Sequence, residues 1–277
     1  MPFFSHDGLH FHYYDTGEGL PFFFQHGLGG DVKQPVGLFT PPPGFRLLAF
    51  DCRGHGETRP LGDPHKIRIT AFADDWLALM DHLAIARAVI GGISMGAAVA
   101  LNFTLRFPDR ALGLILSRPA WLDGPNRKNV SIYHSIARLI RESGANEGLE
   151  RFKQSEAYRE VLHQSPDAAQ SLVGQFEQTR AEETVVKLER IPADAPNHDR
   201  TEWRRITVPT LVLANRQDPI HPFEYGEVLA RGIPGAEFEE ITPKSVSKED
   251  HARDVQRCIE EFLQRHSDTH GFPLARE

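Results

Sequence analysis

Cysteine is scarce. The two present in 277 residues, Cys52 and Cys258, stand alone, with no Cys-x-x-Cys or Cys/His spacing around them. That excludes a disulfide framework and a cysteine-built metal cluster, and it suits a reducing compartment. Long apolar runs are missing as well: no stretch approaches the ~20 residues a membrane span requires. Met1 to Asp7 carries no charged-then-apolar leader. Basic runs are absent from a chain whose formal net charge is −7, so nothing electrostatic favours nucleic acid or an anionic membrane. No internal repeat occurs, and the one low-complexity tract is Pro41 to Pro43. These absences lead to the expectation of a cytoplasmic protein, monomer or homodimer, with neither nucleic acid nor membrane as partner. What remains is a chain of 40% hydrophobic residues, long enough for one large core carrying an inserted subdomain.

The most informative stretch runs from Ala88 to Arg106. A short apolar strand (Ala88, Val89, Ile90) passes through Gly91 and Gly92 into a small-residue helix that begins at Met95 and must end by Pro108. At the join, Gly92, Ile93, Ser94, Met95 and Gly96 fit G-x-S-x-G. A strand that turns at once into a helix strains its middle residue, and glycine on either side relieves the crowding. Ser94 would then sit exposed at a helix N-terminus, where free N–H groups favour developing negative charge. A serine in an ordinary glycine-rich turn would fit the same letters; the flanking strand and helix favour the nucleophile.

Other strands fall at Leu9 to Asp15, read as the sheet edge, and at Pro21 to Gln25, Phe45 to Asp51, Leu112 to Ser117, Val208 to Ala214 and Glu237 to Ile241. Helical spacing marks Ile69 to Leu83 and a final helix through Val255, Ile259, Phe262 and Leu263. Strands and helices in alternation argue for a mostly parallel α/β sheet covered on both faces, with ligands beyond the carboxyl ends of the strands. Between Trp121 and Arg205 only helices are indicated. Val130, Tyr133, Ile136 and Ile140 share one face, and Ser165-Pro166-Asp167 starts a helix that carries Leu172 and Phe176.

Three stretches carry a resemblance. His26-Gly27-Leu28-Gly29-Gly30 resembles the HG-type loop of the α/β-hydrolase superfamily. Asp51-Cys52-Arg53-Gly54-His55-Gly56 resembles its D-x-R-G-H-G segment, and the Ser94 turn resembles its nucleophile elbow. Outside the helical insertion this likeness spans about 190 residues, and it is greatest to enol-lactone hydrolases and small-molecule carboxylesterases. It implies an eight-stranded, mostly parallel hydrolase sheet with helices on both faces. Residues 1–120 and 206–277 would form the core domain and 121–205 a helical cap. Ser94 would be the nucleophile, with the backbone N–H groups of Leu28 and Met95 as the oxyanion hole. Asp218, in Asn215-Arg216-Gln217-Asp218-Pro219, would be the acid, with Asp123 the competitor. Arg53 and His55 would brace their loop.

Most relatives place a Gly-His pair just after the last strand, where this chain has Lys244, Ser245 and Val246. His251, expected directly before the final helix, is taken as the base; His221 and the tail histidines also satisfy the order Ser, Asp, His. Arg118 and Trp121, at the entrance to the cap, are expected to hold a substrate carboxylate and to pack on its ring or chain; pairing of Arg118 with a cap carboxylate is the alternative. The implied activity is hydrolysis of a small ester or lactone with no metal or organic cofactor. Carbon–carbon bond cleavage on the same scaffold, or a non-enzymatic ligand receptor, are the other readings.

Overall fold

Asp7 and Gly8, both at positive φ, form the Asp-Gly turn of a tight hairpin, and this hairpin opens the sheet. The computed structural model describes residues 2–125 and 128–268; His270, one of the tail histidines, lies outside them. Strand β1 (Phe3–His6) pairs antiparallel with β2 (Leu9–Asp15), so β1 is the edge and β2, expected there, lies one strand in. The Asp-Gly pair was the available signal. Six more strands follow: β3 (Leu20–Gln25), β4 (Phe45–Phe50), β5 (Ala88–Ile93), β6 (Ala111–Ser117), β7 (Thr210–Ala214) and β8 (Glu237–Glu240). Their order is β1-β2-β4-β3-β5-β6-β7-β8, with β3 to β8 mutually parallel. The sheet is open, and its central strands are buried on both faces, as their unbroken apolar runs require.

Helices cover both faces. On one side pack α2 (Ile69–His82) and α3 (Met95–Arg106), with Phe72, Trp76, Leu79 and Phe103 all buried. On the other lie α1 (Lys33–Leu38) and the final helix. Between β6 and β7 come α4 (Ile132–Lys153), α5 (Glu156–Gln164), α6 (Pro166–Glu177) and α7 (Val186–Arg190), with no strand among the described residues. Ser165 caps α6 by accepting from the Ala168 amide, with Pro166 at the first position as its sequence predicts. Gly144 breaks the helical geometry inside α4. After β7, α8 (Phe223–Gly232) returns the chain to β8, and α9 (Lys248–Asp268) closes it. Ser247 Oγ accepts from the Asp250 amide at 3.1 Å, a cap that starts α9 early. His251 is therefore inside the first turn of α9, not ahead of it. No helix among the described residues is long and apolar enough to cross a membrane.

Candidate active site

Neighbouring strands β3, β5, β6, β7 and β8 end at the same edge, and the segment leaving each contributes to one cavity of about 180 Å³. Leu28 follows β3, Ser94 follows β5, Arg118 follows β6, Asp218 and His221 follow β7, and Lys244 follows β8; all six line it. Tyr133 of α4 and Gln175 of α6 form the opposite wall. Three of the five described non-glycine residues at positive φ are Ser94, Arg118 and Gln217, at or just past the ends of β5, β6 and β7. Such conformations cost about 1–3 kcal/mol each and persist only where surrounding contacts enforce them.

Ser94 has φ 56° and ψ −109°. Its amide donates to the Ser117 carbonyl at 2.9 Å and its own carbonyl accepts from Ala97 and Ala98, so the turn is fixed from both sides. A Cβ on Gly92 would lie 2.2 Å from the Gly96 carbonyl carbon, and one on Gly96 would lie 2.4 Å from the Gln25 oxygen. Both positions therefore require glycine. Met95 opens α3, so its N–H has no acceptor within the helix.

The loop carrying Leu28 is held by buried polar groups. Gln34 Oε1 accepts from the Gly27 amide at 2.7 Å. His26 Nε2 accepts from the Cys52 amide at 3.1 Å, and the His55 ring lies 3.0 Å from both the Leu28 and Arg53 carbonyl oxygens. Burial, with Lys187 and His26 adding to it, drives the His55 pKa well down. Arg53 donates to both oxygens of Asp75, at 2.8 and 2.7 Å. Neither Arg53 nor His55 lines the Ser94 cavity.

The acid meets a histidine other than the expected one. Asp218 Oδ1 accepts from the Ile220 and His221 amides at 3.2 Å each. This turn brings the His221 ring back so that its Nδ1 donates to Asp218 Oδ2 at 2.9 Å. Arg118 also donates to Oδ2, at 2.6 Å. Burial opposes ionisation of Asp218, but the charges and hydrogen bonds of His221 and Arg118 prevail and hold its carboxyl well below the usual range. His221 is lowered by burial and by Arg118 against the pull of Asp218, so the imidazole is neutral at pH 7.

No hydrogen bond or ion pair joins His251 to Asp218. Its Nδ1 donates to the Thr242 carbonyl at 2.8 Å, its Nε2 is buried without a partner, and it does not line the cavity. Burial, then Arg118, lowers its pKa to about 4. The early start of α9 explains the displacement: the ring belongs to a helix turn tied back to Thr242. Trp121 also differs from expectation. It is 2% exposed within the core and absent from the cavity wall, because Ala120, Trp121 and Leu122 re-enter the apolar interior. Arg118 is at the cavity with its Nη2 on Asp218 and its Nε buried without a hydrogen-bond partner. Asp123 pairs with Arg200 at 2.9 Å and does not line the cavity.

An open, mostly parallel sheet with a strained serine at its central strand–helix turn defines a class, and the family model for the α/β hydrolase fold matches residues 21–246. The chain belongs to that family. It is 26% identical over 249 residues to 3-oxoadipate enol-lactonase 2 of Acinetobacter baylyi, covering 87% of this chain and 88% of that protein. It is also 26% identical over 252 residues to a 2-hydroxy-6-oxononadienedioate/2-hydroxy-6-oxononatrienedioate hydrolase of Paraburkholderia phymatum, covering 83% and 82%. Among solved structures, the enol-lactonase of Burkholderia xenovorans LB400 superposes with a TM-score of 0.71 at 25% identity, covering 95% of this chain and all of that one.

Proposed function

We propose that this protein is a carboxylic ester hydrolase that cleaves a small ester or lactone through an acyl-enzyme on Ser94, with His221 as base and Asp218 as its orienting acid. The observation that carries this reading is the strained Ser94 turn on a cavity shared with the hydrogen-bonded His221–Asp218 pair. An alcohol is a poor nucleophile at neutral pH and needs an imidazole to take its proton. Donation of Nδ1–H to Asp218 leaves Nε2 of His221 as the acceptor that general-base chemistry uses.

As Ser94 Oγ attacks the carbonyl carbon, its proton passes to His221 Nε2. Asp218 stabilises the imidazolium, and the amides of Leu28 and Met95 hold the oxyanion. One such donor supplies about 3 kcal/mol of transition-state stabilisation. Collapse breaks the ester C–O bond, the leaving oxygen takes the proton back, and a water deprotonated by His221 then releases the acid. In wild type, p-nitrophenyl acetate and butyrate turn over, and Ser94→Ala loses at least about 1,000-fold in kcat/KM; wild-type rates in Ser94→Ala contradict the reading. The dioate hydrolase relative favours one other chemistry, hydrolysis of a carbon–carbon bond. Product analysis separates them, since that reaction yields an acid and a ketone and ester cleavage yields an acid and an alcohol.

The pH profile carries a second test. The neutral form of His221 is active, so kcat/KM rises with pH and levels off, with an apparent midpoint below the ordinary histidine value of about 6.5. Arg118 contributes to that lowering, so Arg118→Gln moves the midpoint to higher pH. A midpoint unmoved by this substitution would mean that the titrating group is not His221.

A further inference from the structure

We propose that Lys244 selects the substrate: its ammonium pairs with a free carboxylate on the acyl portion of the ester or lactone bound at Ser94. The proposal rests on the reading of Ser94 as nucleophile and adds the substrate class, a short-chain ester or lactone carrying a second, ionised carboxyl group.

Arg118 is committed to Asp218 at 2.6 Å, and Asp218 has its remaining oxygen on two backbone amides. The charged groups that act on Lys244 are Arg118, Asp167, Asp218 and Lys248. Asp167 is itself paired with Lys248 at 3.2 Å. Both carboxylates near Lys244 therefore already have a cation. Among the described residues, no hydrogen bond or ion pair holds the Lys244 amine. The cavity thus carries one cation with no carboxylate of its own.

A half-buried ammonium is poorly solvated, and an anion in the same space both compensates it and forms charge-assisted hydrogen bonds. Lys244 leaves β8 at the shared strand edge and reaches the cavity that Ser94 lines. A cavity of about 180 Å³ suits a small acyl group. Burial, then Arg118, lowers the Lys244 pKa to about 8. The cation is therefore present at pH 7, and anion recognition fades as pH rises through about 8.

The test compares two esters of equal acyl length at pH 7, mono-p-nitrophenyl succinate and p-nitrophenyl butyrate. Wild type favours the succinate ester. In Lys244→Met the succinate-to-butyrate ratio of kcat/KM falls about 10- to 100-fold, mostly through KM for the acidic ester, and Lys244→Arg restores it. An unchanged ratio in Lys244→Met overturns the proposal, whether both rates hold or both fall. Calorimetric titration of succinate into Ser94→Ala protein with and without Lys244→Met separates this question from the nucleophile assignment. Binding lost with Lys244 supports the anchor even if Ser94 does no chemistry. Binding that is indifferent to Lys244, or absent from both, overturns it.

Discussion

His221→Ala lowers kcat/KM for p-nitrophenyl butyrate by about 100- to 10,000-fold, the usual worth of a positioned general base, whereas His251→Gln costs less than about tenfold. The two histidines differ in what holds them. His221 lines the cavity with Ser94 and has Nδ1 on a buried carboxylate, which fixes the tautomer and offsets the charge of the imidazolium. His251 has only the Thr242 carbonyl on Nδ1, and charging it would place a cation beside Arg118 and Lys244 with no carboxylate bonded to it. Glutamine at 251 can still donate to Thr242, so the substitution tests chemistry with little damage to α9. Asp218→Asn should fall with His221→Ala and not add to it, since residues acting as a unit are not additive. Steady-state rates of the three single variants and of the 218/221 double variant decide this. A large loss in His251→Gln beside a small one in His221→Ala would assign the base to His251.

The second large effect is on folding. Gly92→Ala and Gly96→Ala should each lower the melting temperature by about 5 °C or more, because overpacking against backbone costs about 1–3 kcal/mol and sometimes more. At Gly92 the added carbon would overlap the Gly96 main chain, and at Gly96 it would overlap the Gln25 carbonyl. Neither neighbour is a side chain that could rotate away. Gly37→Ala is the control: it lies in α1 with nothing within 4 Å of the new carbon. That substitution should be neutral or stabilising by up to about 1 kcal/mol. Thermal unfolding of the three variants checks the contrast. Equal melting temperatures would mean that the elbow does not depend on close backbone approach.

The elbow was legible because its geometry admits few residue types: glycine on both sides of a serine between an apolar strand and an alanine-rich helix has few other uses. The central strands were legible from their apolar runs, and Asp218 from its place after one of them. Which histidine meets Asp218 was not, because choosing between His221 and His251 depends on a turn. The Asp218 carboxylate collects the amides of Ile220 and His221 and folds the imidazole onto itself. An Asp-Pro-x-His segment contained that signal in its turn chemistry. Arg118 illustrates a different limit. Its charge suggested a substrate contact and not the pairing with Asp218, which lies 100 residues further along the chain, where strand order and not sequence brings β6 and β7 together. Trp121 could have been read from its neighbours, since Ala120 and Leu122 beside it mark a core segment and not a cavity rim.

Covalent labelling of wild-type protein with a fluorophosphonate, followed by peptide mapping, tests the central claim most directly. The account predicts a single phosphonyl group on Ser94, with labelling slowed in His221→Ala and absent in Ser94→Ala. Label on another residue, or no label under conditions where esters turn over, would contradict it.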